Sequence, residues 1–150
     1  MMMKYIGKKG FDLIKRYEDF KSKPYVCPAG KWTIGYGHTN GVTKDTAPIN
    51  ETEAETLLRE DLMRITGDLN RAVPESLTQE QFDSLCSFCY NCGTGAFLSS
   101  TLRKVINANP MDFGRIRAEF MRWVNAGGEK LPGLVERRRT EANLYEYGKE

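Results

Sequence analysis

The 150-residue sequence has no run of about 20 apolar residues, so nothing in it is long enough to span a membrane. Its opening segment, Met1 to Gly10 (MMMKYIGKKG), lacks the apolar stretch of a secretory signal, so the protein is expected to fold and wait in a cytoplasm. It has no internal repeat and no low-complexity segment. It holds a single histidine, His38, and four cysteines: Cys27, Cys86, Cys89 and Cys92. The Cys86-x-x-Cys89-x-x-Cys92 run is half of an iron–sulfur or zinc pattern. The remaining sulfur is distant and the histidine lies elsewhere, so no metal and no cofactor are expected. In a reducing compartment the four are thiols, and LCSFCYNC reads as a buried apolar helix face.

Net charge is also small, +2, but it is unevenly spread. Glu51 to Glu80 carries eight acidic and three basic residues, whereas Thr101 to Thr140 carries nine basic and four acidic. A solvated helical surface accounts for the basic half as well as attraction to a cell wall, an outer-membrane surface or nucleic acid does. The hydrophobic fraction of 40% and charged fraction of 28% exclude disorder and suit one compact domain.

Phe11, Ile14 and Tyr17 recur at helical spacing, which predicts a short helix over Gly10 to Phe20 with Glu18 in its last turn. Pro24, Pro28 and Gly30 then break any helix. Tyr25–Cys27 and Trp32–Ile34 are β-prone runs around a Pro-Ala-Gly-Lys turn, so a small antiparallel sheet is expected, followed by a Gly-rich loop from Gly35 to Gly41. Asn50 with Glu53 three residues on forms a capping box for a long helix ending before Pro74. Thr78 with Gln81 forms a second, for a helix to about Asn91. Further helices fit Ser99 to Asn107, Met111 to Val124 and Leu134 to Tyr147. The expected class is α+β and mostly α. A β-containing lobe (about 10–50) is joined by a connecting helix (about 51–73) to a helical lobe (about 74–150), with a cleft suited to a polymer between them.

Glycosidic cleavage needs an acid to protonate the leaving oxygen and a second group on the far face of the sugar. A carboxyl at a helix end beside a hairpin can face a cleft while its neighbours limit hydration, which favours a proton donor. Glu18 occupies such a position, although most glutamates at helix ends are simply solvated.

The segment EDFKSKPYVCPAGKWTIGYGHT, Glu18 to Thr39, resembles the catalytic segment of the phage lysozymes, glycoside hydrolase family 24. That pattern is a Glu, eight residues, an Asp or Cys, five residues, a Thr, and then Ile-Gly-x-Gly-His. Glu18, Cys27, Thr33 and Ile34–His38 match it. Phe88 to Phe97 resembles the family's helix and loop across the cleft, and Phe120 to Arg138 (FMRWVNAGGEKLPGLVERR) its C-terminal signature.

The resemblance implies an endolysin with a lysozyme-like fold. It would cut the β-1,4 bond between N-acetylmuramic acid and N-acetylglucosamine in peptidoglycan, with inversion and without cofactor. Glu18 would be the general acid and Thr33 would hydrogen-bond the attacking water. Cys27 takes the position more commonly held by a carboxylate, which leaves the activating base open; Asp19 is the rival, although adjacent helical residues point about 100° apart. Gly37, Thr39, Tyr90 and Asn91 would bind substrate, and His38 with Asp61 would form a structural pair. The enzyme would be a monomer, would depend on a holin-type partner to open the inner membrane, and would then act on the wall in the periplasm.

Trp123 reads as core more than as a sugar platform. Arg137-Arg138-Arg139 shares its helix with Glu136 and Glu141, and Arg137 with Glu141 makes an i, i+4 pair of structural character. Two other readings stay open. The thiol at Cys27 leaves room for a lysozyme fold that binds glycan without cutting it. The basic half leaves room for a nucleic-acid-binding helical protein, which would leave the Glu18–His38 segment unexplained.

Overall fold

The structure, a computed structural model, describes residues 3–150. Met1 and Met2, the first residues of the segment read as carrying no secretory signal, lie outside the described residues. No helix among the described residues is long and apolar enough to cross a membrane.

Helix α1 (Lys8–Glu18) buries Phe11, Leu13 and Ile14 on one face. Its N-terminus is not capped locally. Instead the buried Asp83, from α3 (Gln79–Cys92), accepts the Gly7 N–H at 2.8 Å and the Gly10 N–H at 3.1 Å. This satisfies two of the donors that a helix start leaves unpaired. Burial is the largest influence on the Asp83 carboxyl and pushes it above its ordinary range, although these two bonds oppose the shift. The contact explains Gly10: a Cβ there would lie 2.6 Å from the Asp83 Cβ. Gly10→Ala is therefore expected to destabilise the fold by about 1–3 kcal/mol, the usual cost of overpacking. A urea midpoint unchanged by the substitution would contradict this packing.

Strands β1 (Lys21–Val26) and β2 (Trp32–Gly35) pair antiparallel with Tyr25 opposite Thr33 and Val26 opposite Trp32. The turn between them closes through Gly30 N to Cys27 O, at 2.8 Å, and Cys27 N to Lys31 O, at 2.9 Å. The expected sheet is present and longer than the β-prone runs suggested.

Both capping boxes form. In α2 (Glu51–Ala72) Asn50 Oδ1 accepts the Glu53 N–H at 2.7 Å and Glu53 Oε1 accepts the Asn50 N–H at 3.1 Å. Thr78 and Gln81 do the same for α3 at 3.1 and 2.9 Å. The expected breaker Gly93 ends α3 at φ 97°, but the chain at once begins a five-residue α4 (Thr94–Leu98). Then follow α5 (Thr101–Ala108) and α6 (Phe113–Phe120), the latter shorter at both ends than Met111 to Val124. A two-residue hairpin, β3 (Asn125–Ala126) and β4 (Glu129–Lys130), turns at Gly127-Gly128, and α7 (Pro132–Tyr147) starts with Pro132 in its first turn. Pro lacks the N–H that this position leaves unpaired anyway.

Two cores result. The smaller joins Phe11 and Ile14 of α1 to Tyr36 and to Ala54, Leu58 and Leu62 of α2. The larger is built on α3, with Phe88 meeting Phe97, Phe120 and Trp123 edge-on, at centroid distances of 5.3–5.9 Å. Trp123 thus packs against the core. The architecture is mostly helical with a small sheet, the class expected from the sequence.

Candidate active site

Glu18 is the last residue of α1, and the chain turns sharply after it. Asp19 adopts φ 61°, the only positive φ at a non-glycine among the described residues. Such backbone costs on the order of 1–3 kcal/mol and is held by its surroundings. The turn sends the Asp19 side chain outward, 75% exposed and 3.6 Å from Lys21 Nζ. Glu18 points inward instead: its Oε2 accepts from Arg137 Nη1 at 2.7 Å.

The chain from Ile34 to His38 is a tight loop. Ile34 and His38 exchange both backbone hydrogen bonds at 2.9 Å, and Gly35 and Gly37 have φ 67° and 86°. Gly37 is also where two side chains close in. A Cβ there would stand 3.1 Å from Glu18 Oε1 and 3.2 Å from the Tyr90 hydroxyl. The Tyr90 hydroxyl itself donates to the Tyr36 carbonyl, pinning α3 to the loop. Tyr36 buries its ring in the smaller core and donates its hydroxyl to Glu51 Oε2 at 2.7 Å. His38 is nearly buried, with Nδ1 2.8 Å from Asp61 Oδ2 of α2.

A cavity of about 630 Å³ opens between the cores, lined by Glu18, Gly37, His38, Thr39, Asp61, Tyr90 and Asn91, which were the candidate residues, and also by Asn40, Glu60, Arg64 and Ile65. Cys27 and Thr33 do not line it. They sit together on the hairpin. Thr33 is 2% exposed, and its hydroxyl donates to the Lys31 carbonyl at 2.9 Å while also neighbouring the Cys27 thiol. Burial chiefly, and then the charges of Glu18 and Cys27, push the Tyr25 phenol up. Thr33 therefore lies outside the lining of the Glu18 cavity, its hydroxyl taken up on the hairpin by the Lys31 carbonyl.

The thiols divide by surroundings. Hydrogen bonding from Thr33, followed by backbone donors, draws the half-buried Cys27 below the ordinary thiol range. Burial drives Cys86 and Cys89 well above it. Cys92 departs from the expected buried face. It ends α3 half-exposed, with Sγ 2.7 Å from Arg138 Nη1. Because the thiolate is the nucleophile, iodoacetamide should label Cys27 first. Its rate should level off at a lower pH than that of a free thiol, whose pKa is about 8.5. Mass spectrometry showing Cys86 modified as fast in the native protein would contradict this division. Among the described residues no group of three or more His, Cys, Asp or Glu side chains is placed to hold a metal ion.

Sequence reasoning missed one partner. Arg137 was paired with Glu141 alone, and that contact exists at 3.3 Å, but Arg137 also spans to Glu18. The two lie 119 positions apart, beyond any local signal. Behind them Glu141 is fully buried, with Oε2 accepting from Ser87 Oγ at 2.6 Å and Oε1 2.7 Å from Arg138 Nε, a charge contact without hydrogen-bond alignment. Arg138 continues to Asn91 Oδ1 at 2.7 Å, fixing the cavity wall.

Residues 15–141 match the phage lysozyme family model. This chain belongs to the phage lysozyme family. It is 44% identical over 146 residues to an endolysin of Acyrthosiphon pisum secondary endosymbiont phage 1, covering 95% of this chain and 98% of that one. It is 40% identical over 145 residues to an endolysin of Bacillus phage PZA, again over 95% of this chain, but spans only 55% of that relative's length. Among solved structures, the muramidase domain of SpmX from Asticaccaulis excentricus superposes with a TM-score of 0.85 at 33% identity, covering 95% of this chain and 98% of that one. The endolysin and muramidase relatives place the family member described here among the glycoside hydrolases that act on peptidoglycan.

Proposed function

We propose that this lysozyme hydrolyses the β-1,4 bond between N-acetylmuramic acid and N-acetylglucosamine, with inversion, and that its role is host-cell lysis. The observation that carries the reading is Glu18, an α1-terminal carboxyl facing the cavity and held by Arg137. A glycan strand laid along the cavity meets Glu18, Tyr90 and Asn91 in its lining. Glu18 delivers a proton to the leaving oxygen. The water that attacks from the opposite face is assigned to the hairpin beyond the cavity lining, where the Cys27 thiol is adjacent to the buried Thr33 hydroxyl. The pairing of His38 with Asp61 keeps the Gly-rich loop against α2. The enzyme works as a monomer without cofactor. It waits in the host cytoplasm until a holin-type partner opens the membrane, and then reaches the wall in the periplasm.

A turbidity assay on purified peptidoglycan separates cutting from binding: a non-cutting glycan binder or a nucleic-acid binder leaves the suspension turbid. Proton NMR of the first products tests inversion, which requires the anomer opposite to that of the substrate bond.

A further inference from the structure

The cavity carries a second set of groups that the proton-donating end does not use. Six titratable side chains line it: Glu18, His38, Glu60, Asp61, Arg64 and Tyr90, whose hydroxyl is taken up by the Tyr36 carbonyl. Two of the carboxylates already have partners, Glu18 in Arg137 and Asp61 in His38. Glu60 and Arg64, one turn apart on the exposed side of α2, form no ion pair within 4.0 Å among the described residues. Elsewhere on the same helix Glu55 and Asp68 are paired, at 3.1 and 2.6 Å. Arg64 is the only Lys or Arg in the lining, and Asn40 adds an amide from the facing loop.

From this arrangement we infer that Glu60, Arg64 and Asn40 form a subsite for the peptide stem of the muramoyl residue, with Arg64 recognising a stem carboxylate. The inference rests on the glycoside-hydrolase reading above. The sugar backbone of the substrate is uncharged, so a free guanidinium in a glycan cleft has no partner there. The lactyl arm of the muramoyl unit leads to a peptide that carries carboxylates and, where it is not cross-linked, an amino group. A guanidinium fork binds a carboxylate with two parallel hydrogen bonds. Glu60, a turn away, complements the amino group, and the same carboxylate repels anions displaced from Arg64, which fixes the stem's register. The acidic surroundings of Arg64 therefore sharpen its preference.

The test compares Arg64→Gln with the parental enzyme on two substrates. One is uncross-linked glycan strands with intact stems. The other is the same strands after an amidase has removed the stems, leaving free lactyl carboxylates. On stem-bearing strands the variant should lose roughly tenfold in kcat/KM, the usual scale for a charge-assisted bond, through KM with kcat preserved. On stripped strands it should stay within about twofold of the parent, and Arg64→Lys should recover part of the loss. No loss on either substrate, equal loss on both, or loss confined to stripped strands overturns the inference; the last assigns Arg64 to the lactyl carboxylate instead. If the parental enzyme releases reducing ends from neither substrate, it is the glycoside-hydrolase reading that fails. Arg64 is exposed, so the variant folds, and a melting curve matching the parent verifies it.

Discussion

Glu18→Gln is expected to lower the lytic rate by roughly 10²–10⁴-fold, the contribution of a positioned general acid. The amide keeps the size of the side chain and can still accept from Arg137, but it has no proton to give. The fold should survive. Arg137 loses one charged partner at 2.7 Å, yet keeps Glu141 at 3.3 Å and the Ser87 carbonyl at 3.2 Å. The stability cost should be about 1 kcal/mol, that of one altered hydrogen bond. A urea melt beside the turbidity assay separates the two effects. A variant that unfolds at much lower urea would mean that activity was lost with the structure.

The largest stability effect is expected at Glu141→Gln. Glu141 and Arg138 are both 0% exposed, and Arg137 is 4% exposed. One carboxylate thus balances two buried guanidinium groups, with Glu18 helping at the outer end. Removing the charge leaves a surplus buried cation, which typically costs about 3–5 kcal/mol. Against a domain stability of roughly 5–15 kcal/mol that is a severe loss. The urea midpoint should fall accordingly. Asn91 and Cys92 should loosen as well, since Arg138 holds both. Faster labelling of Cys92 in the variant would report this. A midpoint within about 0.5 kcal/mol of the parent would show that Arg137 and Arg138 do not depend on Glu141.

What was legible in the sequence is what local chemistry decides. Asn50–Glu53 and Thr78–Gln81 announce helix starts because capping boxes are made within four residues. The spacing from Glu18 to His38 survives as a turn at Asp19, a hairpin and a tight loop, and Gly30, Gly35 and Gly37 supply the positive φ that the last two need. Four features were not legible. Helix α4 follows Gly93 and contains Gly95, residues that normally stop helices, and it exists because Phe97 drops into the large core. The β3–β4 hairpin has two exposed residues per strand and so no alternation to detect. The ion pair Glu18–Arg137 and the Asp83 cap on α1 are tertiary contacts. They exist only once α3 lies between α1 and α7, a packing that no spacing in the chain encodes.

Glu18-dependent hydrolysis of the muramoyl bond is tested most directly by mass spectrometry of the soluble fragments. Purified peptidoglycan digested by the parental enzyme should yield fragments ending in a reducing N-acetylmuramic acid, heavier by one water than anhydro ends. The Glu18→Gln protein should yield almost none. Fragments ending in reducing N-acetylglucosamine, anhydro ends, or equal release by the two proteins would contradict it.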